Sequence, residues 1–264
     1  MQCTAPLKLP EVPMPVPCGK CRACKISRSR EWATRIQQEA SYYKNNIFVT
    51  LTYSDESLPA DKAVKKEEVQ RFIKRLRKQL GNQKIKYFAC GEYGEITKRC
   101  HYHLLILNMP FNGKKNTYFI EKAWTKGRID IGTVTYNSAR YVADYIQKDD
   151  RSEMYDGRTP PFSLKSQGLG KQYAIDHADQ LTTNLTTTVN GIPVGLPKIY
   201  QKWLDIDKQL LIDKATIRSQ ELEEKPIKKA LRDNKSVQKI QEEAYIQKDK
   251  NIKARLSLKQ KDKL

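Results

Sequence analysis

The sequence predicts an α+β domain: a central antiparallel sheet with helices packed on one face, followed by a helical C-terminal extension. Three observations carry this expectation. Segments 47–53, 84–93, 100–107 and 129–136 are rich in β-branched and aromatic residues, as strands are. Two of them, 84–93 and 100–107, are separated only by a short segment opening on Gly94, so a simple hairpin would pair them antiparallel. Between the other strands lie stretches with apolar residues at helical spacing, giving a helix and then the order β-α-β-β-α-β-α.

Taken in order, residues 1–24 read as a proline-punctuated extended arm ending in a cysteine cluster. A helix is expected over 25–44, where Trp32, Ile36, Ala40 and Tyr43 share a stripe and Arg28, Arg30 and Arg35 lie off it, either to meet phosphates or as an ordinary solvated face. Ile47 to Tyr53 (IFVTLTY) is the first strand, in which Thr50 and Thr52 are expected to support the sheet. The helix 67–80 follows, with Val69, Phe72, Ile73, Leu76 and Leu80 in step and Gly81 at its stop. Its outer face carries Arg71, Lys74, Arg75, Arg77 and Lys78, a basic ridge that suits a phosphate backbone, with Arg71, Lys74, Arg75 and Lys78 as the candidate DNA contacts.

Residues 84–93 (KIKYFACGEY) and 100–107 (CHYHLLIL) are the next strands, and a short helix is expected over 116–124. A strand at 129–136 leads to a helix capped by Asn137 or Ser138 and running to about Lys148. Segment 151–170 reads as loop and 171–179 as helix, and Asn190-Gly191 marks a tight hairpin turn. The core domain is assigned to 25–198. From 199 to 264 the chain is nearly all helix formers of mixed charge and reads as a solvated helical tail.

The formal net charge of +19 over 264 residues implies a polyanionic partner, of which nucleic acid is the usual one. No apolar run approaches the roughly 20 residues that span a bilayer, so no membrane role is expected. Pro10, Pro13, Pro15 and Pro17 occupy the place where a secretory signal would need an apolar helix, so a cytoplasmic protein is expected. Cys18, Cys21 and Cys24 follow one another at C-x2-C-x2-C, which in a reducing compartment suggests metal ligation more than disulfides. Gly19 and Lys20 would make the tight turn of a zinc knuckle, and Cys3 is the first candidate for a fourth ligand of a structural zinc. Three ordinary thiols at a helix start are the competing reading.

Two of the three histidines, His101 and His103, stand two apart on one strand and so share a face, about 7 Å apart at roughly 3.3 Å per residue. A hairpin would bring Glu92 beside them, and two imidazoles with one carboxylate can bind a divalent cation with positions left open. Glu95 is the alternative carboxylate, and a pair of edge-strand surface histidines the competing reading. On the later helix Tyr141, Tyr145 and Lys148 would lie on one side. Tyrosines at that spacing are usually packing. Beside a metal-bound phosphate and an ammonium group, however, a phenol of ordinary pKa roughly 10 becomes usable for covalent attack on phosphorus.

FVTLTY, then GEYG with HYHLLIL, then YVADYIQK, in that order, resemble the three motifs of the HUH rolling-circle replication endonucleases. The two-tyrosine form with its following lysine and the PCGKCRAC block resemble the replication initiators of the gokushovirus-type phages of the Microviridae. The match covers roughly 18–148 and leaves the tail unaccounted for. Tyr102, between the histidines, stands where many relatives have a hydrophobic residue and is expected to point to the core side or stack there.

The resemblance implies a ferredoxin- or RRM-like HUH fold and a single-stranded or melted replication origin as substrate. His101, His103 and Glu92 would hold Mg2+ or Mn2+. Tyr141 and Tyr145 would be alternating nucleophiles forming a 5′-phosphotyrosine, and Lys148 would neutralise charge on the phosphate. It also implies action in the cytoplasm of a bacterial host, with host helicase and polymerase as further partners. Two alternatives remain at this level: a relaxase or single-strand transposase of the same chemistry, and a non-catalytic zinc-containing nucleic-acid-binding protein.

Overall fold

The structure is a computed structural model and describes residues 3–10, 15–94, 96–109, 113–144 and 155–261. The chain forms two compact units, residues 1–205 and 206–264. The first holds a five-stranded antiparallel sheet of order β4-β1-β3-β2-β5, built from β1 (Asn46–Thr52), β2 (Lys86–Tyr93), β3 (Cys100–Leu107), β4 (Ile129–Thr133) and β5 (Phe162–Lys165). The helices with it are α1 (Arg22–Ala40), α2 (Lys66–Leu80), α3 (Gly113–Ala123) and α4 (Tyr136–Asp144, to the limit of the described residues), then α5 (Lys171–Asp176), α6 (Ala178–Asn184) and α7 (Lys198–Trp203). A separate hairpin of β6 (Thr186–Val189) and β7 (Ile192–Gly195) turns at Asn190-Gly191, as the dipeptide predicts.

β3 is the middle strand and is buried along almost its whole length. Its alternation sorts the core into two layers. Tyr102, Leu104 and Ile106 face a cluster containing Val49, Leu51, Val69, Phe72, Leu76, Ile120 and Trp124, so α2 and α3 cover that side. Leu105 and Leu107 face a cluster with Ile36, Phe88, Ala139 and Val142, so α1 and α4 cover the other. The expectation of helices on one face is therefore corrected: the sheet is sandwiched. The reason lies in composition, because β2 and β3 are apolar at consecutive positions, the mark of a strand buried on both faces.

β5 lies in a stretch that reads as loop in the sequence. It extends the sheet at the β2 edge, where Phe162 crosses Gly91. A Cβ built on Gly91 would stand 2.8 Å from the Phe162 ring, so the glycine is what lets the ring lie flat against β2. The segment expected as one helix at 171–179 is two, α5 and α6, broken at His177. The helix expected over 25–44 begins and ends earlier, and the Asn46 side chain closes its end by donating to the carbonyls of Ala40 and Tyr43.

Tyr102 points to the core, as expected, where its hydroxyl meets that of Tyr53 at 2.9 Å and accepts from the Lys65 N–H at 3.0 Å. Burial pushes its pKa up to about 12, so it is a neutral structural phenol. Arg35 is corrected. Instead of facing solvent it is buried, stacked on Trp32 with its guanidinium carbon 3.8 Å from the ring centroid and donating to the Leu169 carbonyl.

α7 belongs to the first unit, because Tyr200 is fully buried there and donates to Gln38 of α1 at 2.7 Å. The second unit contains α8 (Lys208–Asp233) and α9 (Val237–Lys261). They are joined at Asn234, which takes the left-handed conformation and ends α8 with its N–H on Ala230. No helix among the described residues is long and apolar enough to cross a membrane.

Candidate active site

Alternation on β3 puts His101 and His103 on the α1/α4 face with Leu105 and Leu107. The register of the β2–β3 hairpin sets Glu92 directly opposite His101, and Cys90 opposite His103. The hairpin is closed by the Gly94 N–H on the Arg99 carbonyl, with Lys98 at positive φ returning the chain. One carboxylate oxygen, Glu92 Oε1, lies 2.9 Å from His101 Nε2 and 2.8 Å from His103 Nε2. The two rings stand nearly perpendicular with centroids 4.8 Å apart. Glu92 is 3% exposed and His103 7%, so an acid and two bases converge where little solvent reaches them.

The far nitrogens of both imidazoles are tied down. His101 Nδ1 lies 3.2 Å from the Arg99 carbonyl, which can only accept, so Nδ1 carries a proton and Nε2 is the nitrogen turned toward Glu92. His103 Nδ1 lies 3.0 Å from Thr50 Oγ1, and β1 sets Thr50 opposite His103 in the sheet. Phe48, two residues before Thr50, stacks on the His103 ring at 5.6 Å and 21°. Thr50 is the residue that sequence reasoning misses, because a threonine in a strand reads as sheet support only. The available signal is its place on the strand beside the histidines, with side-chain parity matching His103.

α4 brings the phenol. Tyr141 Oη is 3.3 Å from Glu92 Oε1 and 3.4 Å from His103 Nε2, and its ring meets that of His103 edge-on at 5.2 Å. Thr135 and Ser138 cap the helix start through reciprocal side-chain-to-backbone bonds. Ala139 and Val142 seat the helix on the sheet, and Ser29 of α1 donates to Asp144 near its other end. Tyr145 and Lys148 lie outside the described residues, as does Glu95.

The donor set fits a divalent cation: two imidazole nitrogens and a carboxylate within 4.8 Å of one another, oriented by partners behind them. Such a site leaves coordination positions open toward solvent and substrate.

The basic ridge falls elsewhere. α2 covers the α2/α3 layer, on the opposite side of the sheet from Glu92 and His103. Arg75 is partly buried and donates to the Ala123 carbonyl at the end of α3 at 2.9 Å, and Arg71 pairs with Glu68 at 3.4 Å. Lys74 and Lys78 are exposed. The whole sheet therefore lies between the ridge and the donor set.

A second cluster gathers Cys3, Cys18, Cys21 and Cys24, whose sulfurs all lie within 4.8 Å of one another. Backbone N–H groups of Cys21 and Lys20 hold the Cys18 thiol below its ordinary value. The Thr4 N–H above all holds that of Cys21 down to about 5, whereas burial pushes Cys24 up to about 12.

Compared with known proteins, residues 46–150 match the family model of replication-associated proteins of the ORF2 kind. The chain is 33% identical over 210 residues to the replication-associated protein VP4 of Bdellovibrio phage phiMH2K, covering 71% of this chain and 66% of that one. It is 34% identical over 220 residues to the replication-associated protein ORF2 of Spiroplasma virus 4, covering 74% and 69%. To the replication-associated protein ORF4 of Chlamydia phage 1 it is 27% identical over 216 residues, covering 72% and 53%. The matched region thus spans about two thirds of the first two relatives and about half of the third. No solved structure matches.

Proposed function

The chain belongs to the phage replication-associated protein family, and on that premise we propose that it initiates rolling-circle replication by nicking and rejoining single-stranded DNA at the origin. One observation carries this reading: the Tyr141 oxygen stands 3.3 Å and 3.4 Å from two members of a buried His-His-Glu donor set.

Bound at Glu92, His101 and His103, Mg2+ or Mn2+ would polarise the scissile phosphate and stabilise charge on the departing oxygen. Tyr141 Oη is positioned for attack on phosphorus. It gives up its proton and forms the Oη–P bond as the bond to the 3′-oxygen breaks, and the released 3′-oxygen takes up a proton to become the 3′-hydroxyl that can prime synthesis. Tyr141 Oη lies 3.3 Å from Glu92 Oε1 and 3.4 Å from His103 Nε2, so its oxygen starts at the edge of the donor set where the phosphate must arrive, and a cation taking those two atoms as ligands would release the phenol from them. The reverse attack, by a 3′-hydroxyl on the phosphotyrosine, reseals the strand. Tyr145, four residues on in sequence, is proposed as the second nucleophile and Lys148 as a cation for the phosphate, both on the family resemblance. Entry to a site buried between α4 and the sheet requires an unpaired strand, so the substrate is single-stranded or melted DNA.

The test is incubation with a labelled single-stranded oligonucleotide carrying the origin, with and without Mn2+, resolved on a denaturing gel. A metal-dependent covalent adduct is expected, with Tyr141 or Tyr145 found attached on peptide mapping. The double variant Tyr141→Phe/Tyr145→Phe should form none while still binding DNA. Salt-sensitive binding by the wild type with no adduct under any metal would leave only the non-catalytic binding reading.

A further inference from the structure

The cysteine quartet lies outside the machinery proposed for nicking, and we infer that it is a closed tetrathiolate zinc site that fastens the N-terminal arm to the start of α1. The inference stands on geometry. Around a tetrahedral zinc with Zn–S of about 2.3 Å, neighbouring sulfurs are separated by about 3.8 Å. Here Cys3 Sγ lies 3.5 Å from Cys18 Sγ and 3.7 Å from Cys21 Sγ, and all four sulfurs fall within 4.8 Å. These separations are far beyond the roughly 2.05 Å of a disulfide, and all four cysteines are free thiols.

The backbone is shaped to the same end. Gly19 takes φ +75, which turns the chain between Cys18 and Cys21, and the Cys21 N–H then donates to Cys18 Sγ at 3.3 Å. The Cys18 N–H donates to Cys3 Sγ, also at 3.3 Å. Bonds of this kind orient a sulfur and stabilise its thiolate, the form that binds metal. Arg28 reaches back from α1 to the Gly19 carbonyl, bracing the turn. Cys21 is the residue at the helix N-cap and Cys24 lies in the first turn, so one ligand comes from α1 itself, one from its cap, one from the turn before it and one from the arm.

Among the described residues the arm has little else to hold it. Leu7 and Leu9 are 51% and 46% exposed, so apolar burial does not dock it there. The pair of backbone bonds between Leu7 and Val16 closes the arm into a loop upon itself and does not anchor it to the sheet or to α1. Among the described residues the sulfurs link Cys3 of the arm to Cys18 and Cys21 at the start of α1. Cys90 and Cys100, buried in the sheet, belong to other strands and take no part. A site with four protein ligands and no open position is structural, and distinct in donor chemistry from the oxygen- and nitrogen-rich set at Glu92, His101 and His103.

The test uses the full chain carrying His101→Ala/His103→Ala, so that the other donor set cannot hold metal, purified under reducing conditions without chelator. Elemental analysis should give one zinc per chain, and exchange for Co2+ should give the thiolate-to-cobalt charge-transfer and tetrahedral ligand-field bands. Adding Cys18→Ser/Cys21→Ser should remove the zinc, and Cys100→Ser should keep it. Removing the metal should speed tryptic cleavage after Lys8 at least tenfold. Absence of metal from the parent, iron in place of zinc, a Co2+ spectrum without sulfur charge transfer, or zinc retained without Cys18 and Cys21 would each overturn the inference. The Co2+ spectrum needs no cysteine variant, so misfolding of one does not blunt the test.

Discussion

Thr50 shows how much of the site rests on a side chain with no part in the chemistry. Its hydroxyl is the partner of His103 Nδ1, and that contact decides which nitrogen faces Glu92. Replacing it with the near-isosteric valine should leave the fold in place and remove that contact. Metal affinity measured by calorimetry should fall by about 10- to 100-fold, with nicking falling in parallel at limiting metal and recovering at saturating Mn2+. His103→Ala should behave differently. It removes a donor outright, so cleavage should be lost at every metal concentration while DNA binding is nearly retained. Nicking at the wild-type rate by that variant would refute the metal assignment.

At the scale of elements, the position of β2 depends on what lies across its outer edge. Gly91 has no side chain because the Phe162 ring occupies that space, and Tyr102 presses from β3 at 3.2 Å from the same point. Gly91→Ala should destabilise the domain by about 1–3 kcal/mol through overpacking, read as a lower midpoint of thermal or urea unfolding. Adding Phe162→Leu should recover part of that loss, since the smaller side chain vacates the clash. Equal destabilisation in the single and double variants would show that the ring is not what constrains Gly91. Because Glu92 is the next residue on β2, the same shift should weaken metal binding.

For the whole molecule, the sheet stands between the donor set and the basic ridge of α2. The donor set lies between β2, β3 and α4, and the exposed Lys74 and Lys78 lie across the sheet on α2. Charge reversal at both lysines should therefore not alter cleavage of a short oligonucleotide confined to the nick. With longer DNA able to pass around the domain, the same variant should bind more weakly. Its dependence of log affinity on log salt should also be shallower, by about 0.7 for each single-strand phosphate it no longer neutralises. With a formal charge of +19, the wild type should itself lose affinity steeply as salt rises.

The sequence by itself determined four of the five strands of the sheet, the hairpin that sets Glu92 opposite His101, the shared face of the two histidines and the family. Each follows from a local rule: period two along a strand, short loops pairing neighbours, and motif residues at fixed spacing. Only the tertiary structure decided which layer covers each face of the sheet, that β5 extends it, and that Thr50 backs His103. It also decided that Arg35 and Arg75 are spent on Trp32 and the end of α3 rather than on phosphate. Alternation says which side chains point together but not what will be packed over them, and a long cation reads the same in sequence whether its head ends in water or on a buried carbonyl. That difference is settled by packing between segments far apart in the chain, which no local pattern encodes.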